Sequence, residues 1–89
     1  MGEFELRYIK DKYKREVDFL VLRDSKPWLL LEVKASSQSP SEALKHYTYQ
    51  LKPQFSIQLG QSKGQEKVQL VGETTIELLS AESFLGRIN

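Results

Sequence analysis

The chain has 89 residues, 39% of them hydrophobic and 28% charged, with a net charge of +1, a single histidine and no cysteine. These values describe one small domain over residues 1–89 with a marginal core, and they exclude disulfides, thiolate zinc sites and histidine-rich metal sites. No apolar run reaches the length of a membrane span and no secretory signal pattern is present, so a cytoplasmic protein without membrane contact is expected; the near-neutral charge gives no bulk attraction to nucleic acid.

Phe4 to Ile9 alternates as a strand, with Phe4, Leu6 and Tyr8 on one face and Glu5, Arg7 and Ile9 on the other. A polar turn around Asp11 to Lys14 leads into a second strand, so strands one and two form a hairpin. Lys10, Lys12, Lys14 and Arg15 gather there with Asp11 the one acid among them. That cluster either meets the phosphates of a nucleic acid or is a solvated hairpin tip.

Residues 16 to 35 read as two apolar strands around the turn Asp24-Ser25-Lys26-Pro27. Opposed residues of an antiparallel pair share a face, and their numbers sum to a constant. A three-residue loop at Asp24, Ser25 and Lys26 sets that constant to 50. Asp18 then stands opposite Glu32 with Cβ atoms roughly 5 Å apart, and Lys34 follows two residues on along the same face. A two-residue loop would put Asp18 and Glu32 on opposite faces.

Trp28 and three consecutive leucines precede Glu32, which marks a strand covered on both faces. A carboxylate leaving such a strand costs several kcal/mol unless it is paired or holds a metal. Two compensations fit these residue types. One is a divalent-cation site of Asp18, Glu32 and the Val33 backbone carbonyl, with Lys34 beside it to position or polarise a water. Mg²⁺ suits such a site, since it takes one or two carboxylates and keeps its remaining positions for water or phosphate. The other is a structural ion pair from Lys34 to one of the acids.

Further on, Ser39 is expected to cap a helix, with Pro40 in its first position and Glu42 closing a capping box. The helix is expected to run from Pro40 to about Lys52, ahead of Pro53. Leu44, Tyr47, Thr48 and Leu51 form its inward stripe; Tyr47 reads as a core residue and His46 as a surface one. Phe55 to Leu59 and Val68 to Val71 read as short strands on either side of a loop at Gly60 to Gln65. Ile76 to Leu79 reads as a further strand or extended cover, and Ser80 as the cap of a short terminal helix.

An Asp in a second strand followed by Glu-x-Lys in an apolar third strand resembles the PD-(D/E)XK nuclease superfamily. Here the motif is Asp18 with Glu32-Val33-Lys34. The wording Arg-Glu-Val-Asp-Phe-Leu-Val and Leu-Leu-Leu-Glu-Val-Lys-Ala-Ser is more specifically similar to the nuclease-like C-terminal domain of a large family of prokaryotic AAA-type ATPases. The likeness runs from about Leu6 through the helix after Ser39, and more weakly to Phe84-Leu85.

The resemblance implies an α/β fold of restriction-endonuclease type, a mixed sheet made of a β-meander, a crossover helix and further short strands. It implies metal-dependent hydrolysis of DNA phosphodiesters, with Asp18, Glu32 and Val33 holding Mg²⁺ or Mn²⁺, Asp18, Glu32 and Lys34 catalytic, and Lys10, Lys12, Lys14 and Arg15 meeting DNA. The opening helix of the usual core, which in many members adds a carboxylate, has no counterpart here, and Glu3 and Glu5 lie close to the first strand. That absence points to a homodimer, to an ATPase partner or parent chain that supplies the layer, or to a sheet face covered in another way. It also leaves a second function open, a catalytically silent nuclease-fold interaction module.

Overall fold

The computed structural model describes residues 2–10, 12, 15–34, 39–60 and 67–88. The element order is β1 (Phe4–Lys10), β2 (Glu16–Arg23), β3 (Lys26–Val33), α1 (Glu42–Leu51), β4 (Phe55–Gly60), β5 (Lys67–Val71), β6 (Thr74–Ser80) and α2 (Ala81–Ile88). All six strands join one mixed sheet in the order β1-β2-β3-β4-β6-β5. The expected meander is β1-β2-β3, antiparallel throughout. The chain then crosses over through α1 to lay β4 parallel to β3, as a parallel partner requires. β6 runs parallel to β4, with β5 antiparallel at its outer side. The Gly60 to Gln65 loop falls almost wholly outside the described residues.

The β2-β3 hairpin differs from expectation in its turn. Only Asp24 and Ser25 form the loop, with φ of 53° and 66°, the paired left-handed conformation of a tight hairpin turn. Arg23 therefore pairs with Lys26 and Leu22 with Pro27, a sum of 49. A two-residue loop alone would have separated Asp18 from Glu32, but a β-bulge intervenes. Trp28 is an extra residue on β3, and beyond it Val21 pairs with Leu29 and Phe19 with Leu31, a sum of 50. The expected register is thus reached by a different route.

A second irregularity lies on β2. Arg7 pairs with Leu20 but Ile9 with Val17, so Asp18 and Phe19 together face Tyr8. Val17 and Leu20, three residues apart, consequently both turn toward α1, joining Leu30, Leu44, Ile76 and Leu78 in the main core.

α1 begins two residues later than expected. Ser41 is its N-cap, and the Ser41 hydroxyl accepts the Leu44 N–H at 3.0 Å. Pro40 precedes the helix, and Glu42, in its first turn, pairs with Lys45 at 2.9 Å instead of closing a capping box. Lys52 ends the helix in the left-handed conformation at φ 48°, its N–H bonded to the Thr48 carbonyl, and Pro53 follows. Leu44 and Thr48 are buried and Tyr47 and Leu51 pack on the core, as the stripe requires. Ser80 caps α2 by accepting the Ser83 N–H at 3.1 Å.

The two faces of the sheet are unequal. α1 covers one across most of its width. On the other, α2 lies over β4 and β6, with Phe84 packed on a small cluster of Ile57, Leu59 and Leu79. Neither described helix is long and apolar enough to cross a membrane.

Candidate functional site

Asp18 and Glu32 lie at the end of the β2-β3 pair beside the start of α1, and Lys34 follows just past the end of β3. Extended by one residue, the 50-sum register sets Asp18 level with Glu32. The bulge at Asp18-Phe19 aims the Asp18 side chain across to β3, where its Oδ2 accepts the Val33 N–H at 2.8 Å. Glu32 follows the fully buried Leu30 on the α1 side of the sheet, and its Oε2 accepts the Ser41 hydroxyl proton. Both acids are half-buried.

The compensation of the two carboxylates is therefore hydrogen bonding, from a backbone amide on one and a helix-cap hydroxyl on the other. Among the described residues no ion pair joins Lys34 to either acid, so the expected alternative of a structural Lys34 bridge has no counterpart. Lys34 leaves the strand exposed, its backbone N–H bonded to the Leu59 carbonyl at 2.8 Å. Hydrogen bonds of this type satisfy a carboxylate without neutralising it.

Two residues of the site escaped the sequence-based expectations. Ser41 belongs to Glu32 and to α1 at once, because its hydroxyl donates to the acid and accepts from Leu44. Gln58, 2% exposed in the middle of β4, pairs in register with Glu32. Its Oε1 accepts the Ser41 N–H at 2.9 Å and its Nε2 donates to the Ser39 carbonyl at 2.9 Å. A buried amide spanning the segment between β3 and α1 holds the cap in place, as buried polar groups must be paired. The signal was a glutamine and a serine on the inward face of an otherwise apolar strand, with Ser56 meeting Thr48 at 2.6 Å.

Lys10 and Arg15 of the basic cluster take different partners. Lys10 pairs with Glu16 at 3.4 Å, Lys12 is exposed, and Arg15 turns to α1, where its Nη1 lies 3.1 Å from His46 Nδ1. Lys14 lies outside the described residues. Arg15 and His46 border a shallow groove on α1 with Lys45, Tyr49 and Gln50.

The donor set fits a hard divalent cation in kind. Each carboxylate has one oxygen engaged by the protein, while Asp18 Oδ1 and Glu32 Oε1 accept no other hydrogen bond among the described residues. No group of three or more His, Asp or Glu gathers among those residues, and a set of two carboxylates completed by carbonyl and water oxygens calls for none.

The architecture defines a small mixed α/β domain with an acid pair at the end of its central strands. Residues 2–84 match the family described as a domain of unknown function, DUF4143, and the chain belongs to that family. Comparison with curated proteins and with solved structures finds no match.

Proposed function

We propose that the domain is a metal-dependent phosphodiesterase of PD-(D/E)XK nuclease type, acting on DNA, with a restriction-endonuclease-like fold. The observation that carries this reading is the pairing of Asp18 with Glu32. The Trp28 bulge gives the β2-β3 ladder a register that, carried one residue past Phe19 and Leu31, sets the acids level, and each is held by one oxygen with the other left over. Asp18, Glu32 and the Val33 carbonyl are the residues that would hold Mg²⁺ or Mn²⁺. The cation, when bound, supplies a water of lowered pKa and offsets charge on the phosphate.

The chain's own residues do the rest. The Val33 N–H and the Ser41 hydroxyl fix the rotamers of the two acids. Lys34, exposed beside them, orients the water or donates to the phosphate oxygens. Gln58 holds Ser41, and through it the Glu32 carboxylate, in place. The likeness of the two motif segments to the nuclease-like domain of AAA-type ATPases supports the assignment, as analogy.

Titration of Mn²⁺ into the wild-type protein and into Glu32→Ala tests the site directly. Saturable heat present in the first and absent in the second is expected, together with Mn²⁺-dependent nicking of plasmid DNA that both Glu32→Ala and Asp18→Asn abolish. Unaltered nicking in either variant would sink the assignment.

A second reading has its own observation. The sheet face under α2 is left largely open, as in a domain whose main work is to assemble. In that reading the same fold is a silent interaction module that pairs with itself or with an AAA-type ATPase. Absence of Mn²⁺ binding in the wild type selects it.

A further inference from the structure

The half of the sheet that α2 does not reach carries an apolar band. Strand alternation and register put Phe4, Leu6 and Tyr8 of β1, Phe19 of β2, Val33 of β3 and Phe55 of β4 on this face. All are exposed, Leu6 to 66% and Phe4 to 54%. The Trp28 ring lies edge-on between Phe4 at 5.1 Å and Phe55 at 5.7 Å, so three aromatic rings line one end of the band. A contiguous patch of this kind on a small soluble domain marks an interaction surface.

Charge and shape say what covers it. No charged side chain interrupts the middle of the band. Its two ends along β2 carry opposite signs: Arg23 sits over the Phe4 ring at 5.7 Å, and Glu16, bonded to the Tyr8 hydroxyl at 2.8 Å and to Lys10, lies seven residues away at the other end. A two-fold axis lying between two such faces and perpendicular to the strands brings the Arg23 end of each onto the Glu16 end of the other. The surface is complementary to itself, which is what an isologous contact demands.

The shape agrees. The molecule is a plate, 34 × 34 × 22 Å, and two sheets stacked face to face pack about 10 Å apart.

We infer that the β1-β2-β3 half of this face is the interface of a two-fold symmetric homodimer, sealed by the aromatic band and bordered by Arg23 to Glu16 contacts between the copies. The site of Asp18 and Glu32 lies toward the opposite, α1 side of the sheet, so the inference does not depend on the hydrolytic reading. It is tested by mass alone.

Sedimentation equilibrium of the wild type should give a dimer at about 100 μM, a concentration well above a micromolar Kd. Leu6→Lys, at an exposed position, should weaken association at least about tenfold, while Tyr49→Lys on α1 should leave it unchanged. Arg23→Glu and Glu16→Arg should each weaken the dimer, and combining them should restore it. Far-ultraviolet circular dichroism identifies any variant that has lost its fold, and the charge-reversal pair then carries the test. A monomeric wild type, a dimer indifferent to Leu6→Lys in a folded protein, or a double reversal no tighter than either single one would overturn the inference.

Discussion

Ser41 carries three duties in one residue: it caps α1, donates its hydroxyl proton to Glu32, and gives its backbone N–H to Gln58. Removing the hydroxyl in Ser41→Ala strips a cap worth about 1 kcal/mol, which in a domain of this size lowers Tm by roughly 4–8 °C. Differential scanning calorimetry checks that figure. Exchange to Thr, which keeps the hydroxyl, should recover most of the loss. Asp18, Glu32 and Lys34 were legible from sequence because charge in an apolar strand is conspicuous. Ser41 and Gln58 were not. A serine two residues after an expected cap, and a glutamine in a short strand, show their meaning only once β4 lies beside β3.

A separate residue-scale contact lies on the open face. The Glu16 carboxylate lies below the ordinary carboxylate value because the Tyr8 hydroxyl donates to it, with Lys10 adding to the effect, and the Tyr8 hydroxyl is raised above 10.0 mainly by that same bond. The stabilising contribution of Glu16 is complete above the ordinary carboxylate range and is lost as pH falls through its depressed value. Tyr8 contributes fully below its ordinary value, and its share is lost as pH rises through the raised one. In Tyr8→Phe, carboxyl titration followed by NMR should show Glu16 moving back toward 4.5, with no alkaline loss remaining from this pair.

At the scale of elements, the hairpin turn is under local tension. Ser25 at φ 66° occupies a conformation that costs an L-residue roughly 1–2 kcal/mol, and tight turns of this kind favour glycine at that position. Ser25→Gly should therefore raise the urea midpoint at unchanged m-value, reporting a stability gain of about 1 kcal/mol before the extra unfolded-state freedom of glycine takes part of it back. The α1 stripe, the α2 cap at Ser80 and the strands were readable from periodicity and capping chemistry. The start of α1 was not, since Ser39 and Ser41 both satisfy local cap rules and only the tertiary hold of Gln58 and Glu32 on Ser41 selects between them.

For the molecule as a whole, one sheet separates two clusters of unequal size. The larger, beneath α1, contains Leu30 and Ile76, both with no exposed surface. Leu30→Ala, in the strand that also delivers Glu32, should cost about 2–5 kcal/mol. Against a total stability of order 5–15 kcal/mol, much of the folded population is at stake, and chemical denaturation reads the loss directly. The meander, crossover helix and later strands followed from element order. The placement of β6 between β4 and β5 did not, because short apolar strands of similar composition carry no local label for their neighbours.

The Trp28 bulge has a consequence for how such a chain tolerates change in length. Thirteen residues separate Asp18 from Glu32, and they can be spent as a three-residue turn with an unbroken ladder or as a two-residue turn with one extra residue in a strand. Both leave the acids facing each other, because a residue gained in the turn can be given up in the strand. The hairpin thus carries a reserve of length, like slack in a line. One glycine inserted after Ser25, in the solvent-exposed turn, should therefore leave the acids level and any Mn²⁺ binding that depends on them unchanged, whereas loss of that binding in a folded variant would show that the turn itself sets the register.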